Sequence, residues 1–274
     1  MRHTAQVALT ALLAGAAPAV RAQAPEVQVR AVPEFVAVRP GGTFRVAVRL
    51  QIPQGWHIGW INPGAGGLAT TVAWQTPKGV EARATAWPYP ETDDADGEIS
   101  HVYRGTAVLF STFDAAQDLS APLTLSAQLE WGLCRVQCVL QRRTLQISLP
   151  TTRGVIQRSS AWADVQLAER SLPVAVPAGD VHVVLSGDSA AITIAGLPNA
   201  PPADSWVTFF PLERGRASVV ARLRGAPGSF AFSLPATALT GASPAHLLGV
   251  LVAAHAPGAP PAVRPLTIDA QASR

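Results

Sequence analysis

Short runs in which apolar and polar residues alternate fill most of the chain, and this period of two is typical of half-buried β-strands. The run Thr43–Gln51 shows it clearly, because its four large apolar residues occupy alternate positions. The other strands predicted before residue 150 are 27–32, 70–75, 80–86, 106–113, 123–133 and 139–149. Turns rich in proline and glycine separate several of these runs, so the pattern predicts a β-sandwich over residues 23–150.

A second series of strand patterns follows a polar linker and a short helix, which we assign to residues 151–172. The helix is predicted over 160–170, with Ser160 as its N-cap and with Trp162, Val165 and Ala168 towards one face. The later strands are predicted at 181–185, 191–195, 206–210, 217–223, 229–234, 246–254 and 263–268. The fold class is therefore all-β, with a second β-sandwich domain over 173–274 that we expect to serve a structural or docking role.

The first 22 residues are typical of an export signal. A basic start at Arg2 precedes an apolar run over 5–20, and small residues lead to a cleavage site after Ala22. A membrane anchor needs about 20 consecutive apolar residues, whereas this run is shorter and is interrupted by Pro18 and Arg21. We therefore expect a soluble mature protein in the periplasm, an oxidising compartment in which a dithiol can cycle.

The charge balance excludes one class of partner. The chain has 21 basic and 18 acidic side chains, and loss of two arginines with the signal lowers the formal net charge from +3 to +1. A protein that binds nucleic acid through phosphate contacts normally carries a clear basic excess. We therefore expect no nucleic-acid partner.

The chain contains two cysteines, Cys134 and Cys138, and a disulfide at this close spacing would stabilise the fold little. The chain-entropy account gives a disulfide in so small a ring about 2 kcal/mol, against ~4 to 5 for a loop of about 100 residues. Domains of this size also build adequate cores without disulfides. The pair is therefore better explained by its chemistry than by its contribution to stability.

The two cysteines can pair only across a turn. In one extended strand they would lie roughly 13 Å apart, beyond the limit of about 7 Å between the Cα atoms of a disulfide. A turn over 135–137 would join the strands 123–133 and 139–149 in a tight hairpin and place the sulfurs opposite each other.

The chemistry expected of this pair is thiol–disulfide exchange. A bridge that closes so small a ring is expected to be exposed and readily reduced, as redox pairs are. Three nearby arginines, Arg135, Arg142 and Arg143, would favour a thiolate.

Two other interpretations of the pair stay open. Most cysteine pairs in exported proteins are structural, so a non-catalytic sandwich with a structural disulfide would also fit. Alternatively, the two thiolates together with His57 or His101 could bind copper or zinc in a periplasmic metal-binding protein. We assign no metal ligand and no cofactor from the sequence.

The stretch 55–68 places His57 between Trp56 and Trp60 among several glycines. A histidine in such a setting is more often a packed, hydrogen-bonded residue than a ligand. The glycine spacing matches neither a dinucleotide-binding nor a P-loop signature.

The acidic stretch 87–98 is superficially like a calcium-binding loop. The position that should hold the bidentate glutamate is occupied by Arg104, which excludes an EF-hand. We therefore expect a solvated acidic loop.

Four motifs, taken in order, carry a family resemblance. They are Gly55-Trp56-His57-Ile58 continuing through Trp60 to Asn62-Pro63-Gly64, then Trp87-Pro88-x-Pro90, then Val102-Tyr103-Arg104-Gly105, and Trp131-x-x-Cys134-x-x-x-Cys138. Their order and spacing over residues 26–150 resemble the periplasmic N-terminal domain of DsbD/ScsB-type thiol:disulfide interchange proteins. The following unit is similar to the second sandwich of the ScsB-type ectodomain.

The resemblance implies an immunoglobulin-like domain that acts as a protein-disulfide reductase-type relay to thioredoxin-fold periplasmic partners. It implies that Cys138 forms the mixed disulfide with a partner and that Cys134 resolves it. In such proteins a transmembrane segment and a thioredoxin-like domain follow, and neither pattern is present up to Arg274. We therefore expect a membrane electron carrier to meet this chain as a separate molecule.

One departure from the family concerns the loop that shields the cysteines. In DsbD this loop carries aromatic residues, whereas the corresponding stretch 92–100 has acidic residues and no aromatic ring. Tyr89 and Tyr103 are the residues that could take over the shielding role.

Overall fold

The computed structural model describes residues 24–197, 199, 201–202, 204–223, 230–241 and 245–273. The export signal predicted at 1–22 lies outside these residues. No helix in the described ranges is both long enough and apolar enough to cross a membrane.

Ten strands form the first half of the fold. They are β1 Gln28–Pro33, β2 Thr43–Gln51, β3 His57–Gly64, β4 Thr71–Gln75, β5 Val80–Ala82, β6 Glu91–Ala95, β7 Glu98–Tyr103, β8 Thr106–Ala115, β9 Leu123–Cys134 and β10 Cys138–Leu149. One sheet has the order β1-β2-β8-β5, and the facing sheet has the order β10-β9-β3-β7-β6, with β4 also paired to β9. The large buried side chains between the two sheets include Trp60, Trp131, Phe113 and Leu125. The predicted immunoglobulin-like sandwich is thus confirmed.

The segment before β1 is fixed to β10 by the side chain of Gln141. Its amide nitrogen donates to the carbonyl oxygen of Pro25 at 2.8 Å, and its amide oxygen accepts from the Trp131 indole at 3.2 Å. The same oxygen accepts from the backbone N–H of Val27 at 3.4 Å. One amide therefore ties the start of the sandwich to its outermost strand.

The linking helix is a mixture of 3-10 turns at Ser160–Trp162 and Leu167–Ser171 around one short α-helix, α1, at Ala163–Gln166. Ser159, not Ser160, precedes the first turn, and its side chain makes no capping bond. Trp162 and Val165 are buried, as their spacing predicted, and the Trp162 ring packs edge-on against Phe110 at 5.7 Å between centroids. The segment therefore covers the outer face of the four-stranded sheet.

The second half is a second sandwich, formed by one continuous sheet that bends around its own core. Its strands are β11 Val174–Ala175, β12 Val181–Ser186, β13 Ser189–Ile194, β14 Trp206–Pro211, β15 Val219–Arg222, β16 Phe230–Pro235, β17 His246–Ala254 and β18 Leu266–Ser273. The order is β15-β14-β17-β18-β12-β13-β16, with β11 beside β18. The bend lies in β18, which pairs antiparallel with β17 and then parallel with β12. Phe209, Phe230 and Ile192 lie in the core that the sheet encloses.

Two regions differ from the sequence-based expectation. The stretch His57–Gly64 is a strand, β3, whose pairing with β7 shifts register between Gly59 and Gly64, and this irregularity explains why no alternation is visible. The acidic stretch is a hairpin, β6–β7, rather than an irregular loop. Asp96 and Gly97 both have positive φ, as the two central residues of a type I′ hairpin turn require.

Candidate functional site

The β9–β10 hairpin places the two cysteines opposite each other. The strands pair in antiparallel register over their full length, and Cys134 and Cys138 are the last partners before the turn at 135–137. The two sulfurs are bonded, with the Cα atoms 4.0 Å apart. The predicted hairpin and turn are therefore confirmed.

The two cysteines differ in exposure. Cys134 is 4% exposed, whereas Cys138 is exposed to solvent. A nucleophile must reach a sulfur along the axis of its disulfide bond, so access decides which sulfur a partner protein attacks. The structure therefore leaves Cys138 accessible from solvent and keeps Cys134 covered.

Two glycines allow the loop between β3 and β4 to pack against the sheet face that carries the disulfide. A Cβ atom on Gly132 would lie 2.8 Å from the Cβ of Leu68, and one on Gly59 would lie 2.3 Å from the Leu68 carbonyl oxygen. Leu68 therefore rests directly on Gly132, two residues before Cys134. Any larger residue at Gly59 would displace backbone, not only a side chain.

Exposed apolar side chains lie at the end of the hairpin that carries the disulfide. Leu68 and Leu140 are 45% and 44% exposed, and Val136 in the turn is 94% exposed. Leu140 pairs with Gly132 across the strands, which brings it beside Leu68. We call Leu68, Val136 and Leu140 the tip surface. A group of exposed apolar side chains is typical of a surface that contacts another molecule.

The arginines near the disulfide are not equivalent. Arg142 forms an ion pair with Glu130 on the facing strand, and Arg143 forms one with Glu26. Their positive charge is thus largely neutralised, and Arg142 lies about 13 Å along the strand from Cys138. Arg135, in the turn itself, has no ion pair within the described residues. It is therefore the arginine best placed to stabilise a thiolate.

His57 is the cross-strand neighbour of Cys134, through the pairing of β3 with β9. Directly opposed residues of neighbouring strands point to the same face, so the imidazole lies on the side of the sheet that carries the disulfide. Partial burial lowers the pKa of His57; Asp93 opposes this shift, whereas Arg104 adds to it. His57 is therefore a neutral imidazole at pH 7.

His101 lies elsewhere, fully buried where the two sandwiches meet. Its Nε2 accepts a hydrogen bond from the backbone N–H of Ser218 at 2.9 Å, so the ring is neutral and Nδ1 carries the proton. Nδ1 donates that proton to the carbonyl oxygen of Asn62, also at 2.9 Å. With both ring nitrogens engaged, His101 is not available as a metal ligand beside the cysteines. The part of the chain that the structure describes contains no group of three or more His, Cys, Asp or Glu side chains arranged for a metal ion.

Asn62 is the second polar residue buried at this junction. Its amide nitrogen donates to the carbonyl oxygens of Pro211 at 2.7 Å and Arg216 at 3.0 Å. Its amide oxygen accepts from the backbone N–H groups of Gly64 at 3.0 Å and Gly215 at 3.1 Å. One side chain thus satisfies backbone groups of both sandwiches. In the sequence Asn62 stands out only as part of a motif, because nothing there shows that β14 lies opposite it.

Tyr103 does not shield the disulfide. It pairs with Ile58 on the core side of the sheet and donates a hydrogen bond to the carbonyl oxygen of Pro88 at 2.7 Å. Complete burial raises the pKa of Tyr103 well above its ordinary value. Tyr89 packs against the same core. The shielding proposed for these two tyrosines is therefore wrong for Tyr103, whose ring faces away from the cysteines.

Lowering the pH should decrease the stability of the junction between the two sandwiches, because His101 is buried there. Burial lowers the pKa of His101 below its ordinary value, so the unfolded chain binds the proton more readily than the folded one. Stability therefore falls as the pH drops below about 6.5, by at most about 1.4 kcal/mol per pH unit for one proton.

We expect the urea midpoint of the wild type to fall between pH 7.5 and pH 5.5, and the fall to be smaller in His101→Gln. The exposed His182 gives a matched control, since His182→Gln should keep the wild-type pH dependence. An unchanged pH dependence in His101→Gln would contradict this assignment.

Comparison with known proteins gives a family match over the first sandwich. Residues 24–150 match the family model described as the N-terminal domain of thiol:disulfide interchange protein DsbD. No curated protein sequence matches the chain significantly.

Among solved structures, the N-terminal periplasmic domain of ScsB from Proteus mirabilis aligns with 90% of this chain and 94% of its own, at 15% identity and a TM-score of 0.59. The reduced DsbD N-terminal domain of Neisseria meningitidis aligns with 47% of this chain and 90% of its own, at 15% identity and a TM-score of 0.28. A complex between the DsbD and PilB N-terminal domains of the same species aligns with 43% of this chain and 80% of its own, at 16% identity and a TM-score of 0.27. The ScsB match shows that the fold of both sandwiches occurs in a known structure.

Proposed function

Because residues 24–150 form a DsbD/ScsB-type N-terminal domain, we propose that this protein is a periplasmic thiol:disulfide exchange module. Cys134 and Cys138 alternate between a disulfide and a dithiol. The module passes reducing equivalents to or from thioredoxin-fold proteins, and a membrane electron carrier meets it as a separate molecule.

The observation that carries this proposal is the position of the bridge. The disulfide joins the last pair of a hairpin whose other eleven residue pairs are already in register. Opening it frees only the turn at 135–137, so the sandwich keeps its pairing in both redox states. A bridge in a ring this small contributes about 2 kcal/mol to stability, which a folded domain can lose without unfolding.

The exchange follows from the unequal exposure of the two sulfurs. In the dithiol form the Cys138 thiolate attacks one sulfur of a partner disulfide, and the other partner sulfur leaves as a thiolate. Cys134 then attacks the Cys138 sulfur, which closes the intramolecular disulfide and releases the second partner thiolate. Two electrons have moved to the partner, whose two thiolates each take a proton. The same steps in reverse reduce the Cys134–Cys138 disulfide to the dithiol.

The tip surface supports docking of a partner protein at the exposed sulfur. Leu68, Val136 and Leu140 present apolar groups around Cys138, and Arg135 adds one positive charge. A contact of this kind excludes water from the reacting sulfurs while the mixed disulfide exists.

Equilibration with glutathione tests the proposal. We expect a reduction potential above about −300 mV, because structural disulfides of secreted proteins lie below that value and exchange modules above it. Alkylation of free thiols followed by mass measurement gives the reduced fraction at each glutathione ratio. A variant with both cysteines replaced by serine gives the baseline. A potential below about −300 mV would identify the bridge as structural.

A further inference from the structure

We propose that His57 is the acid–base residue of the exchange: its imidazole takes the proton of the Cys134 thiol as that sulfur attacks Cys138. In the opposite direction it returns the proton to Cys134 as the intramolecular disulfide opens. This inference rests on the proposed function.

The first support is the register of the sheet. His57 at the start of β3 pairs with Cys134 at the end of β9, and Cys134 pairs with Cys138 at the start of β10. Directly opposed side chains on neighbouring strands have Cβ atoms about 5 Å apart on the same face. The imidazole, the buried cysteine and the exposed cysteine therefore form one row across three strands.

The second support is the chemical need of the inner sulfur. Burial disfavours the charged thiolate, and Cys134 is almost completely buried. Arg135 follows Cys134 in the chain, but it is exposed in the turn, where solvent screens its charge. Cys138 can ionise in contact with solvent, whereas Cys134 needs an adjacent base to become a nucleophile.

The third support is the state of the imidazole. Charged groups face it from β6 and from the residue after β7: Asp93, and Arg104, which forms ion pairs with both Asp93 and Glu91. Asp93 raises the pKa of His57, but its charge is paired with Arg104, so burial dominates and keeps the ring neutral, as a proton acceptor must be. Within the described residues neither ring nitrogen of His57 has a hydrogen-bond partner, in contrast to His101.

The resolving step can be written in full. The starting state is a mixed disulfide between Cys138 and a partner sulfur. The Cys134 S–H bond breaks and its proton moves to the free imidazole nitrogen, while the sulfur electron pair forms the bond to the Cys138 sulfur. The bond from Cys138 to the partner breaks, and the partner thiolate leaves with that electron pair. The imidazolium then gives its proton to the leaving thiolate or to water.

The test uses an aromatic disulfide that releases a coloured thiolate at each of the two steps. Attack by Cys138 gives the first release and resolution by Cys134 gives the second, so stopped-flow absorbance separates them. In His57→Gln we expect the second phase to slow by about 100-fold at pH 7, the usual size of a general-base contribution, and the first phase to stay within about twofold. His182→Gln, an exposed histidine of the second sandwich, is the matched control.

Two further readouts separate proton transfer from a structural effect. The second phase of the wild type should level off above the pKa of His57, whereas that of His57→Gln should keep rising with pH. Added imidazole should accelerate His57→Gln and should leave the wild type unchanged. Equal second-phase rates, or slowing without a change in the pH profile and without rescue by imidazole, would overturn the inference. The small disulfide reacts with any accessible dithiol, so this test is independent of whether thioredoxin-fold proteins are the partners.

Discussion

The variant Cys134→Ser should accumulate a covalent complex with a thioredoxin-fold partner, and Cys138→Ser should not. In Cys134→Ser the exposed Cys138 can still attack the partner disulfide, but no second thiol is present to resolve the mixed disulfide. In Cys138→Ser the remaining sulfur is that of Cys134, which is almost completely buried and out of reach of a folded partner. We therefore expect a covalent complex with Cys134→Ser and none with Cys138→Ser.

Non-reducing gels of each variant, incubated in its thiol form with an oxidised thioredoxin-fold protein, measure the complex as a band that disappears on reduction. The double serine variant is the control for non-covalent association. Equal trapping by both single variants, or trapping by Cys138→Ser alone, would reverse the roles of the two sulfurs.

The variant Asn62→Ala should be strongly destabilised although it lies far from the disulfide. It removes the hydrogen-bond partner of the buried Pro211 carbonyl oxygen and Gly64 N–H, and of the partly buried Arg216 carbonyl oxygen and Gly215 N–H. Each buried polar group left without a partner costs about 1 to 3 kcal/mol. We therefore expect a loss of at least about 2 kcal/mol, even if water reaches the two partly buried groups.

Urea unfolding followed by tryptophan fluorescence measures this loss, since Trp60 lies in the core at the junction. Gln146→Ala is the matched control: it removes an exposed amide from β10 and should change stability by less than about 0.5 kcal/mol. Equal midpoints for Asn62→Ala and the wild type would show that the junction contributes little to stability.

Two strands have the predicted bounds for two different reasons. β2 alternates apolar and polar residues, whereas β17 is an apolar run that is buried on both faces, between the cores of the two sandwiches. The cysteine hairpin was predicted for a different reason: four residues of extended chain are too long for a disulfide, so a turn had to lie between the sulfurs. Both arguments use local geometry alone.

The remainder depends on contacts between distant parts of the chain. That His57 adjoins Cys134 follows from the pairing of β3 with β9, which no local pattern reveals. The same applies to His101, which the sequence offered as a possible metal ligand together with the two cysteines. The structure instead holds it in the junction, where Ser218 of the second sandwich donates a hydrogen bond to it. In the sequence Arg142 and Arg143 are also candidates for stabilising a thiolate. In the structure Arg142 forms an ion pair with Glu130 on the neighbouring strand, and Arg143 forms one with Glu26 in the segment before β1.

The outermost strand of the disulfide sheet has a consequence for association between copies of the protein. β10 is a twelve-residue edge strand, and an edge of that length can template pairing with another chain. Two consecutive arginines, Arg142 and Arg143, occupy its middle, and side chains that alternate in direction place one arginine and its ion pair on each face. Two copies brought edge to edge would have to desolvate these ion pairs and displace the segment held by Gln141. The strand that carries Cys138 can thus stay exposed to partner proteins and still resist open-ended sheet extension.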